Sequence, residues 1–194
     1  MKKLIVIMLV ITGMSVTAQQ SKWTIDNDHT RIQFSINHMV ISEITGYFKS
    51  FEGLVLAEKE NFSDAIVNFS IEAGSIDTGV EKRDSHLKSA DFFDVQNHPK
   101  ITFKGKSIKS TKKSKYKIKG DLTLHGITKE ITLNVNYGGT VKDPYGRITA
   151  GLKITGLIKR SDFGLKYNSI LESGGLLIGD EVSLDLSVRL LKQK

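Results

Sequence analysis

From Trp23 to Leu190 the apolar residues of this chain recur at every second position over most of its length. Ile32, Phe34, Ile36 and His38 share one face against Arg31, Gln33, Ser35 and Asn37. Val67, Phe69 and Ile71 alternate with Asn68, Ser70 and Glu72, and Ile131, Leu133, Val135 and Tyr137 with Thr132, Asn134 and Asn136. Tyr116, Ile118, Leu122 and Leu124 form another such face, as do Ala150, Leu152, Ile154 and Ile158. The last run, Val182, Leu184, Leu186, Val188 and Leu190, keeps strict register. Successive side chains of a strand point to opposite faces, so this period predicts strands hidden on one side and wet on the other. One-sided burial is the mark of an antiparallel sheet. About eight strands at short spacing then read as an all-β sandwich or barrel.

Turn chemistry divides the runs. His125-Gly126 and Asp143-Pro144-Tyr145-Gly146 both read as hairpin turns, with Gly where the backbone needs a positive φ and Pro where a tight turn begins. Two places resist the strand period. Val80 to Ala90 sets Leu87 and Ala90 against Glu81, Lys82, Arg83, Asp84 and Lys88, a short helix with a narrow apolar edge. His38 to Thr45 reads as a turn.

The helix belongs to the stretch RDSHLKSADFFDVQNHPKITF, residues 83–103, which changes period three times. After a helical turn, Phe92 and Phe93 in extended geometry point to opposite sides, one into the main core and one beneath the helix. Pro99 bars further helix, and Ile101 and Phe103 resume the alternation. This is a helix-to-strand corner pinned by aromatics, in which Arg83, Asp84 and His86 are expected to bond to strand ends.

The first residues carry a different signal. Lys2 and Lys3, the apolar run Leu4 to Ile11 and the small-residue pattern Val16-Thr17-Ala18 read as a secretory signal peptide, cleaved near Ala18. The expected location is periplasmic or secreted, and residues 19–194 make one domain. There is no cysteine, so stability must come from burial rather than disulfides. The formal charge of +7 falls by two once Lys2 and Lys3 are removed.

Taken with WTIDNDHTRIQFSINH at 23–38, GDLTLHGITKEITL at 120–133 and KRSDFGL at 159–165, the corner stretch resembles the YceI-like family of exported lipid-binding proteins. The four segments come in the family's order. The resemblance implies a lipocalin-like fold: an extended antiparallel eight-stranded barrel with one short helix, holding a polyisoprenoid or other long apolar chain along its axis. It also implies that a homodimer is possible, for which an exposed strand edge or the loop 168–180 offers a surface.

Other chemistries find little support in the residues. Ser85-His86 and Ser89-Ala90-Asp91 supply the letters of a hydrolase without a G-x-S-x-G elbow, so no catalytic residue is assigned. His29, His38, His86, His98 and His125 include no pair at a ligand spacing such as H-x-x-x-H, and no metal or other cofactor is expected. Ser173-Gly174-Gly175 and Gly179 lack the G-K-[ST] ending of a phosphate cradle and read as a turn or rim. The segment KSIKSTKKSKYKIKG, 106–120, carries seven lysines. Lys106 to Lys119 is either a solvated hairpin or a landing patch for anionic headgroups, where each lysine adds about 1 kcal/mol. Nucleic acid is not an expected partner, because no interleaved aromatics offer base stacking.

The residues expected inside the barrel are Phe34, Ile36, Phe69, Phe103, Leu122, Leu133, Leu152, Ile154 and Leu184, with Phe48 near the mouth. His38 shares the apolar face and is either a hydrogen-bonded core histidine or a headgroup contact. Arg160 either meets a headgroup or pairs with Asp162. A ten-carbon tail gains about 8 kcal/mol gross at about 0.8 kcal/mol per methylene, against an association cost of roughly 4 to 15 kcal/mol. The expected ligand is therefore long: a polyisoprenoid, an isoprenoid quinone or a fatty-acid derivative, carried or stored without chemistry. A small lipid-modifying enzyme and a stress-response protein with a filled core are the rival readings.

Overall fold

The computed structural model describes residues 20–170 and 176–194; the expected signal peptide and the Ser173-Gly174-Gly175 turn lie outside them. The strand segments are β1 (Ser21–Ile25), β2 (Arg31–His38), β3 (Ser42–Phe48), β4 (Phe51–Ala57), β5 (Ile66–Glu72), β6 (Ile76–Asp77), β7 (Lys100–Lys112), β8 (Lys115–Leu124), β9 (Ile127–Lys142), β10 (Ile148–Lys159) and β11 (Ile178–Lys192). Among the described residues one α-helix, α1 (Glu81–Lys88), lies between β6 and β7.

These 11 segments are eight long strands, because three of the eight are kinked. β1 and β2 are one strand interrupted at Asn27–His29, β3 and β4 one strand interrupted at Lys49-Ser50, and β5 and β6 one strand interrupted at Ala73–Ser75. Each neighbour pair is antiparallel, and β11 closes the sheet by pairing with β2 through Ile178 to Ser187 and with β1 through Leu190 to Lys192. The sheet is thus a closed barrel. Closure leaves no strand free along its whole length among the described residues; the exposed edge expected as a dimer surface is reduced to stretches paired on one side only, among them β6 and the Lys106–Lys112 end of β7.

The kinks have side-chain causes. At the first, buried Asp26 accepts from His29 Nδ1 at 3.0 Å and pairs with Arg189 of β11 at 3.4 Å, which accounts for the D-x-x-H letters of the N-terminal segment. Irregularities in register at Gly151/Leu152 and Gly105/Ser107 add curl to the wall.

Strand direction sorts the loops onto two ends. One end gathers the start of β1, the end of β11, the β4–β5 connection and the β7–β8 and β9–β10 hairpins. There Phe62 stands edge-on to Trp23 at 5.0 Å and to Tyr137 at 5.6 Å, an aromatic plug. The other end gathers α1, the β2–β3 and β8–β9 turns and the loop between β10 and β11.

The expected helix is present, one residue shorter at its start and two at its end. Asp84 accepts a hydrogen bond from the backbone N–H of Thr78 at 2.9 Å, while Arg83 donates to the Thr78 hydroxyl at 2.7 Å and to its carbonyl at 2.9 Å. His86, expected at a strand end, bonds instead to Asp91 at 2.9 Å. The two phenylalanines diverge, but in a turn rather than the expected extended backbone, with the Phe92 N–H bonded to the Ser89 carbonyl and the Phe93 N–H to that of Leu87: Phe93 packs on Phe48, and Phe92 on His86 and Tyr167. The turn read over His38 to Thr45 is narrower. Only Met39–Ile41 turns, because His38 still pairs with Ser42 across the hairpin and β3 resumes there.

Candidate ligand-binding cavity

The inward faces of the strands do not meet. They enclose an apolar cavity of about 700 Å³ that extends from Phe62 at the plugged end to Arg83, His86 and Tyr167 beside α1. Every apolar residue expected inside lines it: Phe34, Ile36, Phe48, Phe69, Phe103, Leu122, Leu133, Leu152, Ile154 and Leu184. Phe48, Phe103, Leu122 and Leu133 are buried in the wall, whereas Phe34, Ile36, Phe69, Leu152, Ile154 and Leu184 are only half-buried. Inward apolar side chains that stay half-exposed face open space. A filled core would bury all of them to the same degree.

Phe48, expected near the mouth, is wedged farther in, its ring 5.6 Å from Phe34 and 5.9 Å from Phe93. The ring of Phe34 lies across Gly46, directly opposite on β3, where any Cβ would collide with it. Glycine there gives the aromatic ring its space.

Arg160 lies at the helical end and is 6% exposed. Its partners are carbonyls, not Asp162: Nε donates to Gly179 at 2.8 Å, Nη1 to Leu165 and to Tyr167 at 3.0 Å, and Nη2 to Ile178 at 3.5 Å. Burial pushes the guanidinium below its ordinary value, with Asp180 acting in the opposite sense. Four of the five N–H groups of an arginine are thereby engaged in stapling the two arms of the β10–β11 loop. The expected Asp162 ion pair is replaced because the 3-10 turn Arg160–Phe163 directs the guanidinium inward, under the loop.

His38 ends β2 at the rim, paired with Ile178 across the sheet. Its ring makes no hydrogen bond among the described residues, so it is not the bonded core histidine of the sequence reading; β2 carries it to the barrel end, past the packed wall. Sequence reasoning passed over much of the mouth. Val80, Arg83, His86, Tyr167 and Leu177 also line it, brought there by the corner and by the β10–β11 loop rather than by strand parity.

Ser89, the hydroxyl of the hydrolase-like letters, donates to the His86 carbonyl at 2.8 Å, while the His86 ring faces Asp91. The lysine-rich segment forms most of β7 and β8, with its hairpin tip at the plugged end, opposite the mouth. On the barrel wall Lys106 pairs with Asp121 at 2.6 Å and Lys119 with Glu130 at 2.9 Å.

Fold and cavity together define the class: a hollow antiparallel eight-stranded barrel with an apolar lumen and a helical corner at one mouth. A YceI-like domain matches residues 23–190, and the chain belongs to the YceI-like family. It is 38% identical over 168 residues to a UPF0312 protein of Staphylococcus aureus strain MSSA476, covering 86% of this chain and 95% of that relative. Its structure is similar to that of the Campylobacter jejuni YCEI protein, with a TM-score of 0.69 and 29% identity over 82% of this chain and 91% of the other. It also shares the fold of a polyisoprenoid binding domain from Saccharophagus degradans, with a TM-score of 0.64 and 17% identity over 88% and 98% of the two chains.

Proposed function

We propose that this protein is an exported, non-enzymatic carrier or store that holds one long apolar chain, of the polyisoprenoid class, inside the barrel. The observation that carries the reading is the length and lining of the cavity. From Ile178 to Leu190 its wall follows β11. That is roughly 40 Å of strand at about 3.3 Å per residue, and a strand tilt of about 40° leaves about 30 Å along the axis. A bilayer's whole hydrocarbon core is about 30 Å thick, so one leaflet's tails are about half that length. A chain that fills this cavity is longer than an ordinary membrane acyl tail.

The volume supports a single guest. About 700 Å³ falls within the range of small-molecule sites, and drawn out over the barrel's length it accommodates one narrow chain. The polyisoprenoid binding of the Saccharophagus degradans domain supports the same ligand class. The reading as a non-enzyme draws on the lumen's polar side chains: Arg160 is committed to carbonyls, the His38 ring bonds no nucleophile among the described residues, and His86, paired with Asp91, receives the Ser89 hydroxyl on its carbonyl and not on its ring. Export rests on the character of residues 1–18.

Organic extraction of protein purified without detergent, followed by mass spectrometry, tests the reading. One equivalent of a long-chain isoprenoid is expected. Protein that is free of any long-chain compound, and that takes up none from mixed lipid extract, contradicts it.

A further inference from the structure

The histidines have no ligand spacing along the sequence, yet the fold brings two of them together outside the cavity. His98 precedes β7, and His125 sits in the β8–β9 turn. Their rings stand edge to face with centroids 4.8 Å apart. Asp94 joins them one helical turn before His98, whose backbone N–H donates to the Asp94 carbonyl at 2.8 Å. One donor atom from each of Asp94, His98 and His125 lies within 4.8 Å of the other two, and all three residues are half-buried.

The separation is informative. Neither imidazole is hydrogen-bonded or ion-paired to the carboxylate among the described residues, so the three donors are not spent on one another. Some point lies within about 2.8 Å of three atoms spaced in this way, and inward shifts of about 0.7 Å give the 2.0–2.1 Å bonds of a zinc-type ion.

The surrounding groups already orient the donors. His125 Nδ1 faces the Phe163 carbonyl at 3.3 Å; a hydrogen bond there places the proton on Nδ1 and leaves Nε2 as the free lone pair. Asn97 Nδ2 donates to Asp94 Oδ2 at 2.8 Å, fixing the carboxylate and leaving its other oxygen available. The ring of His98 lies against Gly126, where a Cβ would come within 2.7 Å of Cε1. Both His125 and Gly126 have positive φ, 51° and 73°, as a two-residue hairpin turn demands. Asparagine or aspartate is the usual first residue of such a turn, and histidine here adds a metal ligand to it.

We propose that Asp94, His98 and His125 bind one divalent transition-metal ion of the zinc class. Two imidazoles and a carboxylate are the donor set that suits such ions, and three protein donors leave a coordination position for water. The ion ties the helical corner to the β8–β9 turn and, through Phe163, to the 3-10 turn after β10. It therefore clamps three loops at the mouth end from outside the lumen.

The test uses tag-free, chelator-treated, folded protein titrated with ZnCl2 in a calorimeter, with bound zinc counted by elemental mass spectrometry. One equivalent at micromolar affinity or tighter is expected, together with a rise in Tm. His98→Ala, His125→Ala and Asp94→Asn are each expected to weaken binding by at least about tenfold and to abolish the rise in Tm, whereas His86→Ala leaves both unchanged. Circular dichroism confirms that each variant is folded, and Asp94→Asn retains a side chain suited to the left-handed backbone at that position. No stoichiometric uptake by the wild-type protein, or uptake undiminished in the His98→Ala/His125→Ala double variant, overturns the proposal.

Discussion

Phe93 stands perpendicular to Phe48, ring centroids 5.9 Å apart, so that a residue of the helical corner is inserted into the barrel's inner wall. The corner is held from inside by this contact and from its flank by the bonds of Arg83 and Asp84 to Thr78. Truncating a half-buried aromatic removes buried area and leaves a void, at about 2 to 3 kcal/mol. Phe93→Ala is expected to lower Tm by about 5 to 10 °C and to speed ligand release, measured by scanning calorimetry and by exchange of a labelled guest.

A hollow and a filled barrel respond with opposite signs to added bulk. In a packed core, an oversized side chain costs about 1 to 3 kcal/mol. Ile154 and Leu184 face open space, so Ile154→Phe and Leu184→Phe are expected to leave Tm unchanged or raise it. The same variants shorten the longest guest that binds. Denaturant melts read beside guest binding check both halves of this expectation.

Arg160 holds the β10–β11 loop by carbonyls on both of its arms. Arg160→Met keeps most of the apolar stem and strands those acceptors. The expected loss is about 3 kcal/mol, with faster amide exchange in Tyr167 and Ile178. Arg160→Lys is expected to recover little, because an ammonium cannot reach the diverging carbonyls that a planar guanidinium spans.

What the sequence made legible follows from what is local. Strand parity is a two-residue property, so alternation alone puts Phe69, Leu133, Leu152 and Leu184 on the apolar faces of their strands, and Pro99 with the paired phenylalanines marks the helical corner. The barrel, as opposed to a sandwich, is a matter of long-range closure between β1 and β11, and only the resemblance supplied it. Arg160 shows the opposite case. Asp162 is its neighbour in sequence, yet its partners are main-chain carbonyls of a loop whose path no residue type encodes. His98 and His125 were invisible as a pair for the same reason: the turn that carries one and the corner that carries the other are adjacent only after the sheet has curled.

An apolar cavity about 30 Å long, closed by Phe62 at one end, is proposed to take one chain. Native mass spectrometry across a length series of prenyl alcohols measures this directly. Affinity is expected to climb with each added unit, because each buried methylene contributes about 0.8 kcal/mol, and to level off once the chain fills the cavity, with one guest per barrel throughout. Affinity independent of chain length, or no retained guest at any length, would contradict the account.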